Sequence, residues 1–158
     1  MRRFEVVSDE FRKFPDSKII LPTRATIGSA GYDFCTPIDF VMDSGKLVKI
    51  HTDIKAKVPN YEVLMLYIRS SLGIKKNIQL ANLVGIIDSD YYNNLDNDGN
   101  IILALINKSF DQVFFKAGDK LAQGIFMSYQ TVDDESEAEL LKTRHGGIGS
   151  TGKWKRKL

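Results

Sequence analysis

The chain has 158 residues, of which 43% are hydrophobic and 27% charged, and its formal charge at neutral pH is +2. This length suits one domain with a sizeable core, and the composition excludes a disordered chain and a histone-like basic protein. Residues 153–158 carry four cations and no acid, so the rest of the chain has 18 basic and 20 acidic residues and a net charge of −2. A basic end on a slightly acidic body indicates either an anion-binding or a solubilising terminus.

The cysteine content and the hydropathy pattern indicate the cellular compartment in which the protein works. The single cysteine, Cys35, excludes an internal disulfide and favours a reducing environment. No apolar run reaches the roughly 18 residues that a membrane helix needs. The first residues lack the apolar core of a signal peptide. We therefore expect a cytoplasmic protein that uses neither a membrane nor a nucleic acid as its partner.

Short strands dominate the pattern in chain order. Residues 54–58 alternate between apolar and lysine side chains, which predicts a half-buried strand. The uninterrupted apolar run at 63–68 predicts a strand that is buried on both faces. Further strands are predicted at 84–87 and 101–106 because both runs are rich in β-branched residues. Residues 121–129 predict a last strand with a weak point at Gly124.

Helical patterns are scarce, and turns are frequent. Residues 70–76 predict a single helical turn, and 135–142 have helical composition over a short stretch. Turn-forming residues recur between the strands at 43–45, 59–60, 98–99 and 117–119. This spacing is typical of an all-β sandwich or barrel. We predict one all-β domain over 1–158, ending in an irregular, flexible glycine-rich arm over about 133–158.

The glycine-rich segment 146–152 is the first candidate for chemistry. Four of its seven residues are glycine, so its backbone N–H groups can line a concave path that binds phosphate oxygens. Arg144 precedes the segment, Lys153 follows it, and Ser150 and Thr151 add neutral donors. The alternative is a flexible tail without a ligand. The chain ends too soon after these glycines for a dinucleotide-binding βαβ unit.

Two further segments carry groups that suit a polar site. Asp88 and Asp90 directly follow an apolar strand, where a carboxylate can act as a general base, bind a hard cation, or only form an Asx turn. Arg69 and Ser70 end another apolar strand, where they suit either a phosphate contact or the cap of a short helix. Residues 94–99 mimic the start of a calcium loop, but a hairpin turn is the better interpretation because the closing glutamate is missing.

Taken in order, five segments resemble the five motifs of the trimeric deoxyuridine triphosphate nucleotidohydrolases, the dUTPases: 29–34, 69–73, 82–91, 118–123 and 146–152. The resemblance implies a distorted β jelly-roll subunit in a homotrimer. It also implies hydrolysis of dUTP to dUMP and pyrophosphate with Mg²⁺ as the cofactor.

The resemblance assigns roles by position. Asp88 is implied as the base that activates water for attack on the α-phosphorus, and Asp33 as a metal ligand acting through water. Tyr91 is implied to pack under the deoxyribose and exclude a 2′-OH, and Asn82 to read the uracil edge. The other implied substrate-binding residues are Arg69, Ser70, Ser71, Gly73, Gly85, Gln123, Arg144, Ile148, Gly149, Ser150 and Thr151. Of these, Arg144, Ser150 and Thr151 would close over the γ-phosphate in a neighbouring subunit's site.

The sequence departs from the family pattern at four places. Ile148 stands where an aromatic usually stacks on the uracil, with Tyr92 or Trp154 as candidate replacements. Arg144 lies one residue closer to the glycines than usual, Lys120 replaces an arginine, and the hairpin over 92–100 is longer. Two alternatives remain: a dCTP deaminase of the same fold, and a nucleotide-gated module that binds a regulatory protein.

Overall fold

Short β-strands make up most of the regular structure in the computed structural model, which describes residues 1–134 and 146–147. The strands of this part of the chain are β1 (Arg3–Val6), β2 (Thr23–Arg24), β3 (Tyr32–Cys35), β4 (Phe40–Met42), β5 (Leu47–His51), β6 (Ile54–Lys57), β7 (Glu62–Ile68), β8 (Ile78–Leu80), β9 (Gly85–Ile87), β10 (Ile102–Asn107), β11 (Val113–Phe115) and β12 (Lys120–Ser128). One α-helix, α1 (Ser70–Lys76), and two 3₁₀ turns, Asp9–Phe11 and Ser89–Tyr91, complete the described elements.

Every strand pairing within the described residues is antiparallel. A five-stranded sheet has the order β2-β3-β12-β7-β9, and a three-stranded sheet has the order β5-β10-β8. Two strand pairs, β1-β6 and β4-β11, complete the arrangement. The all-β prediction is confirmed, and so are the strands expected near 54–58, 63–68, 84–87, 101–106 and 121–129. The stretch of helical composition at 135–142 lies outside the described residues.

The core forms where the inward faces of these sheets meet. Leu64 and Leu66 of β7 are buried together with Phe34 of β3 and Leu103 and Leu105 of β10. Their alternation along the strands places every second side chain on the inner face.

Gly124 in the middle of β12 is a packing requirement rather than a weak point. A Cβ on this residue would lie 2.9 Å from Leu64 Cδ1 and 2.9 Å from Phe34 Cε2. The absent side chain therefore lets Leu64 and Phe34 pack directly against the β12 backbone, and the strand continues through this position without a break.

The expectation that β7 is buried on both faces is wrong for the single chain. Leu64 and Leu66 are buried, but Val63, Met65 and Tyr67 on the other face are partly exposed. The run is apolar throughout because both faces carry hydrophobic side chains, but only one face meets the core of its own subunit.

The segment after β7 is more regular than one turn. It forms the seven-residue helix α1, which ends at Asn77 in a left-handed conformation with φ 51°. Asn77 donates its backbone N–H to the Leu72 carbonyl, and Lys75 and Lys76 lie in the last turn, where cations stabilise the helix dipole. Within the described residues, no helix is both long and apolar enough to cross a membrane.

A buried ion pair attaches the 92–98 region to the N-terminal strands. Lys55 Nζ of β6 lies 2.8 Å from Asp98 Oδ2, and the Ser8 backbone N–H donates to the same oxygen at 2.7 Å. Burial alone would raise the pKa of Asp98, but hydrogen bonds from Lys55 and Ser8 outweigh it, so the pKa lies below its usual value. Asp98, which the calcium-loop pattern would use as a ligand, is thus paired with the Lys55 ammonium group.

We expect Asp98→Asn to lower the free energy of unfolding at pH 7 by about 1–3 kcal/mol, because it removes charge-assisted hydrogen bonds. Since the folded pKa is depressed, this contribution is complete above the unfolded pKa of about 3.9 and is lost as the pH falls through the folded value. Urea unfolding from pH 7 to pH 3 should show the two proteins converging. Asp39→Asn, which breaks an exposed ion pair with Lys116, is the control and should lower the free energy of unfolding by less. A gap that stays constant with pH would contradict this account.

Candidate active site

Four predicted residues line one cavity of about 320 Å³ at the end of β7: Asp33, Arg69, Ser70 and Gln123. We call these residues the Arg69 cluster. Strand register brings them together, because β12 lies between β3 and β7 and pairs Gln123 with Asp33. Arg69 follows β7 directly and donates its backbone N–H to the Leu121 carbonyl of β12 at 3.3 Å. Three segments distant in sequence therefore meet at one edge.

Two cations contact the one carboxylate of this cluster. Asp33 is only 7% exposed, and its carboxylate lies 2.7 Å from Lys120 Nζ and 3.2 Å from Arg69 Nε. Arg69 lines the cavity, and Lys120 lies beside it in an adjoining depression that Arg69 also lines, so this edge of the sheet suits an anion. The Lys120 contact goes to a single carboxylate oxygen, as expected when lysine replaces a fork-shaped arginine.

Cys35 of β3 is not a nucleophile of this site. Burial raises the pKa of its thiol, and the opposing effect of Lys120 and Arg69 does not reverse the shift. The thiol therefore stays protonated near neutral pH.

A second group of predicted residues lies on the segment 88–100, which we call the Tyr91 loop. Asp88 follows β9, is half-buried, and accepts the backbone N–H of Tyr91 at its carbonyl at 3.2 Å. Tyr91 is 7% exposed, and its hydroxyl donates to the Asn100 carbonyl at 2.8 Å. A half-buried carboxylate and a firmly held aromatic ring therefore lie on the same loop.

The first two residues of the glycine segment contact this loop in the same chain. A Cβ on Gly147 would lie 2.9 Å from Tyr91 Cε2 and 3.2 Å from its hydroxyl oxygen. A Cβ on Gly146 would collide with the Asp96 carboxylate. The ring of Tyr91 leaves no room for a side chain at 147, whereas at 146 the exposed Asp96 side chain would have to move.

The structure does not bring the Arg69 cluster and Asp88 together within one chain. Leu64 of β7 pairs with Ile87 of β9, so Asp88 lies beside the N-terminal end of β7. Arg69 follows the other end of β7, six positions beyond Val63, and a strand rises about 3.3 Å per residue, so the two lie about 20 Å apart along the sheet.

The remaining predicted residues are distributed as follows. Asn82 is exposed in the turn before β9, and Ser71 is exposed in α1. Gly73 packs near Ile68, and Gly85 is buried where a Cβ would lie 3.0 Å from Leu66 Cβ. Packing within the subunit thus already requires a glycine at 85. Arg144, Ile148, Gly149, Ser150, Thr151 and Trp154 lie outside the described residues.

Tyr92 is occupied by structural contacts. Its hydroxyl bonds to the Glu5 carboxylate, and the ammonium groups of Lys55 and Lys57 lie 5.2 and 5.8 Å from its ring centroid. These contacts attach Tyr92 to β1 and β6. The sequence missed this role, as it missed Asn94 and Asn97, whose contacts within the loop have only the asparagine-rich composition of 93–100 as a signal.

The carboxylates of the described residues do not form a cage for a resident metal. Within residues 1–134 and 146–147, no group of three or more His, Cys, Asp or Glu side chains could hold an ion. Mg²⁺ usually keeps several waters and binds through one or two carboxylates plus substrate phosphates. Each oxygen of Asp33 has a cation on one side and retains acceptor capacity, so this residue fits a contact to a hydrated Mg²⁺ that arrives with a phosphorylated ligand.

Comparison with known proteins agrees with the motif resemblance. A family model described as dUTPase matches residues 17–152. The deoxyuridine 5′-triphosphate nucleotidohydrolase of Lactococcus lactis is 39% identical over 152 residues, which cover 96% of this chain and 98% of the relative. The enzyme of that name from Haemophilus ducreyi is 37% identical over 151 residues, covering 90% of each chain.

Solved structures give the same result. The dUTPase of Streptococcus mutans superposes with a TM-score of 0.73 at 36% identity, covering 82% of this chain and 98% of that one. A point mutant of the dUTPase from the Staphylococcus aureus phage phi11, described with a structural Mg(II) ion, reaches a TM-score of 0.67 at 19% identity, with coverage of 86% and 95%. The second likeness concerns the fold alone. The family match over most of the chain and the relatives near 39% identity show that this chain belongs to the dUTPase family.

Proposed function

We propose that this protein hydrolyses dUTP to dUMP and pyrophosphate. The observation that carries the proposal is the pairing of two half-sites: a cavity that offers Arg69 and neutral donors to phosphates, with Lys120 beside it, and a carboxylate beside a fixed aromatic ring. Family membership favours this reaction over the deaminase alternative. Cys35 remains a free thiol, which fits a reducing compartment such as the cytoplasm.

In this proposal Asp88 is the general base. Its carboxylate takes a proton from water while the water oxygen forms a bond to the α-phosphorus. The bond from that phosphorus to the bridging oxygen breaks, and pyrophosphate leaves with the bonding electron pair. A positioned base of this kind contributes about 10²–10⁴-fold to the rate.

The Arg69 cluster would hold the phosphates. Ser70 and Ser71 would donate to the α- and β-phosphates, and Gln123 would complete the network at the α-phosphate. Arg69 would support the loop because its guanidinium is already aligned by Asp33. Mg²⁺, when bound, neutralises part of the triphosphate charge. Asp33 would hold that ion through water.

Sugar selection would lie on the other half-site, where Tyr91 would pack under the deoxyribose and exclude a 2′-OH by its bulk. Asn82 precedes β9, at the end of that strand nearer to Arg69, and would read the uracil edge. Ile148 would cover the base by apolar contact. Arg144, Gly149, Ser150 and Thr151 would close over the γ-phosphate.

The two half-sites would meet between subunits of a homotrimer. Asp88 and the Arg69 cluster lie at opposite ends of β7, too far apart to contact one α-phosphate. Asp88 of one subunit would therefore act on a phosphate held by the Arg69 cluster of the next. The glycine arm would extend to a neighbouring site, although its first two residues contact their own Tyr91 loop in the single chain.

The uncovered face of the five-stranded sheet supports this assembly. Met65 of β7 pairs with Ile86 of β9 on one side and with Ile125 of β12 on the other, which forms an apolar row across three strands. Ile86 is 52% exposed in the single chain. Apolar rows of this kind normally face another layer, and a second copy of the same chain supplies one.

Purified protein with Mg²⁺ should release pyrophosphate from dUTP and not from dCTP, dTTP or UTP. Asp88→Asn should bind dUTP but lose about 10²–10⁴-fold in turnover, because it removes the base and keeps the shape. A coupled pyrophosphate assay measures the rate, and calorimetry measures the binding. Turnover of all four nucleotides would contradict the proposed selectivity, and an unchanged rate in the variant would contradict the role of Asp88.

Ile86→Lys should dissociate the trimer, because it places a charge on the apolar row that the proposal buries between subunits. Light scattering after size exclusion should report a smaller species that is inactive on dUTP. Val41→Lys is the matched control, since Val41 is also a β-branched strand residue and is 43% exposed, but it lies on β4 outside this sheet. If Ile86→Lys remains trimeric, this face is not the interface.

A further inference from the structure

We propose that Asn97 is a positioning residue that sets sugar selectivity by fixing the Tyr91 ring. This inference rests on the proposed function, in which Tyr91 excludes the 2′-OH of ribonucleotides. It concerns the longer hairpin over 92–100, which is one of the four places where this sequence departs from the common family pattern.

Asn97 reaches the far end of the Tyr91 side chain. Its amide Nδ2 donates to the Tyr91 hydroxyl at 2.8 Å and to the Asn100 carbonyl at 3.2 Å. The Tyr91 hydroxyl itself donates to the Asn100 carbonyl at 2.8 Å. The three groups form a closed triangle of hydrogen bonds, so the hydroxyl is held both as donor and as acceptor.

The other end of the Asn97 amide is fixed as well. Its Oδ1 accepts from Asn94 Nδ2 at 2.7 Å and from the Gly99 backbone N–H at 3.1 Å. Asn94 Nδ2 also donates to the Tyr91 carbonyl at 2.8 Å, and its Oδ1 accepts the Asn97 backbone N–H at 3.2 Å. These bonds turn the long hairpin into a bracket around a single aromatic residue.

The bracket has a direct consequence for selectivity. A tyrosine ring excludes the 2′-OH of a ribonucleotide only if the ring keeps its position. A ring held solely at its Cα can move aside by rotating about two side-chain bonds. The Asn97 bond limits this rotation, because moving the ring breaks the bonds of its hydroxyl to Asn97 and to the Asn100 carbonyl. Loss of the Asn97 donor should therefore admit UTP more readily and support dUTP less well.

The test is the ratio of kcat/KM for dUTP to kcat/KM for UTP. In Asn97→Ala this ratio should fall by about fivefold, the effect of one net hydrogen bond. Tyr91→Phe removes the same bond from the other side together with the hydroxyl's bond to the Asn100 carbonyl, keeps the ring, and should lower the ratio by at least the same factor. In the double variant the effects should be less than additive, because the bond between the two side chains is lost only once. Leu95→Ala, an exposed side chain in the same hairpin, should leave the ratio unchanged.

A purely structural role for Asn97 predicts a different result. General loosening of the loop would lower kcat/KM for both nucleotides in proportion and keep the ratio constant, which would overturn the inference. Additive effects in the double variant would also overturn it. If Asn97→Ala fails to fold, an unchanged ratio in Tyr91→Phe alone would do so. Wild-type protein that releases no pyrophosphate from dUTP would instead refute the proposed function, so the two failures are distinguishable.

Discussion

The antiparallel register between β7 and β9 is the constraint on which the rest of the site depends. It pairs Leu66 with Gly85 and Leu64 with Ile87, and a glycine at 85 allows the strands to approach because a Cβ there would press against Leu66. A shift of one residue would turn the inward leucines to the outer face. With this register, the chain segment proposed to hold phosphates follows β7 at one end of the sheet, and Asp88 follows β9 at the other end.

Different interactions hold the side chains at the two ends of the sheet. At the Arg69 end, β3 and β12 supply Asp33 and Lys120, so the arginine is aligned by a buried carboxylate before any ligand arrives. Such alignment lowers the cost of organising donors around a phosphate. At the Tyr91 end, hydrogen bonds within the loop and the Lys55–Asp98 pair hold the ring and the backbone. The Arg69 end presents charged groups, which suit the phosphates of a nucleotide. The Tyr91 end presents a fixed ring, which suits its sugar.

The sequence alone predicted the all-β class and five of the strands, and four of its motif residues, Asp33, Arg69, Ser70 and Gln123, line one cavity. It predicted less well wherever contacts between distant segments decide the result. Gly124 suggested a weak strand because its role appears only when Leu64 and Phe34 are seen packing over it. The apolar run of β7 suggested burial on both faces, which one subunit does not provide. The motif order carries no strand direction, so the sequence could not show that Asp88 and Arg69 lie at opposite ends of β7. Asn97 was not singled out, since an asparagine-rich hairpin indicates a turn but not which side chain it holds.

The most direct test of this account is complementation between two inactive variants. Asp88→Asn lacks the base, and Arg69→Ala lacks the guanidinium that supports the proposed phosphate-binding loop, while Asp33 retains Lys120 as its partner. The two chains would be co-expressed with different tags and the mixed assemblies isolated by two affinity steps. If each site joins Asp88 of one subunit to Arg69 of the next, every mixed trimer contains one intact site, and dUTP turnover should return to about a third of the wild-type rate. Mixed trimers as inactive as either parent would show that a single chain builds the whole site and would contradict the account.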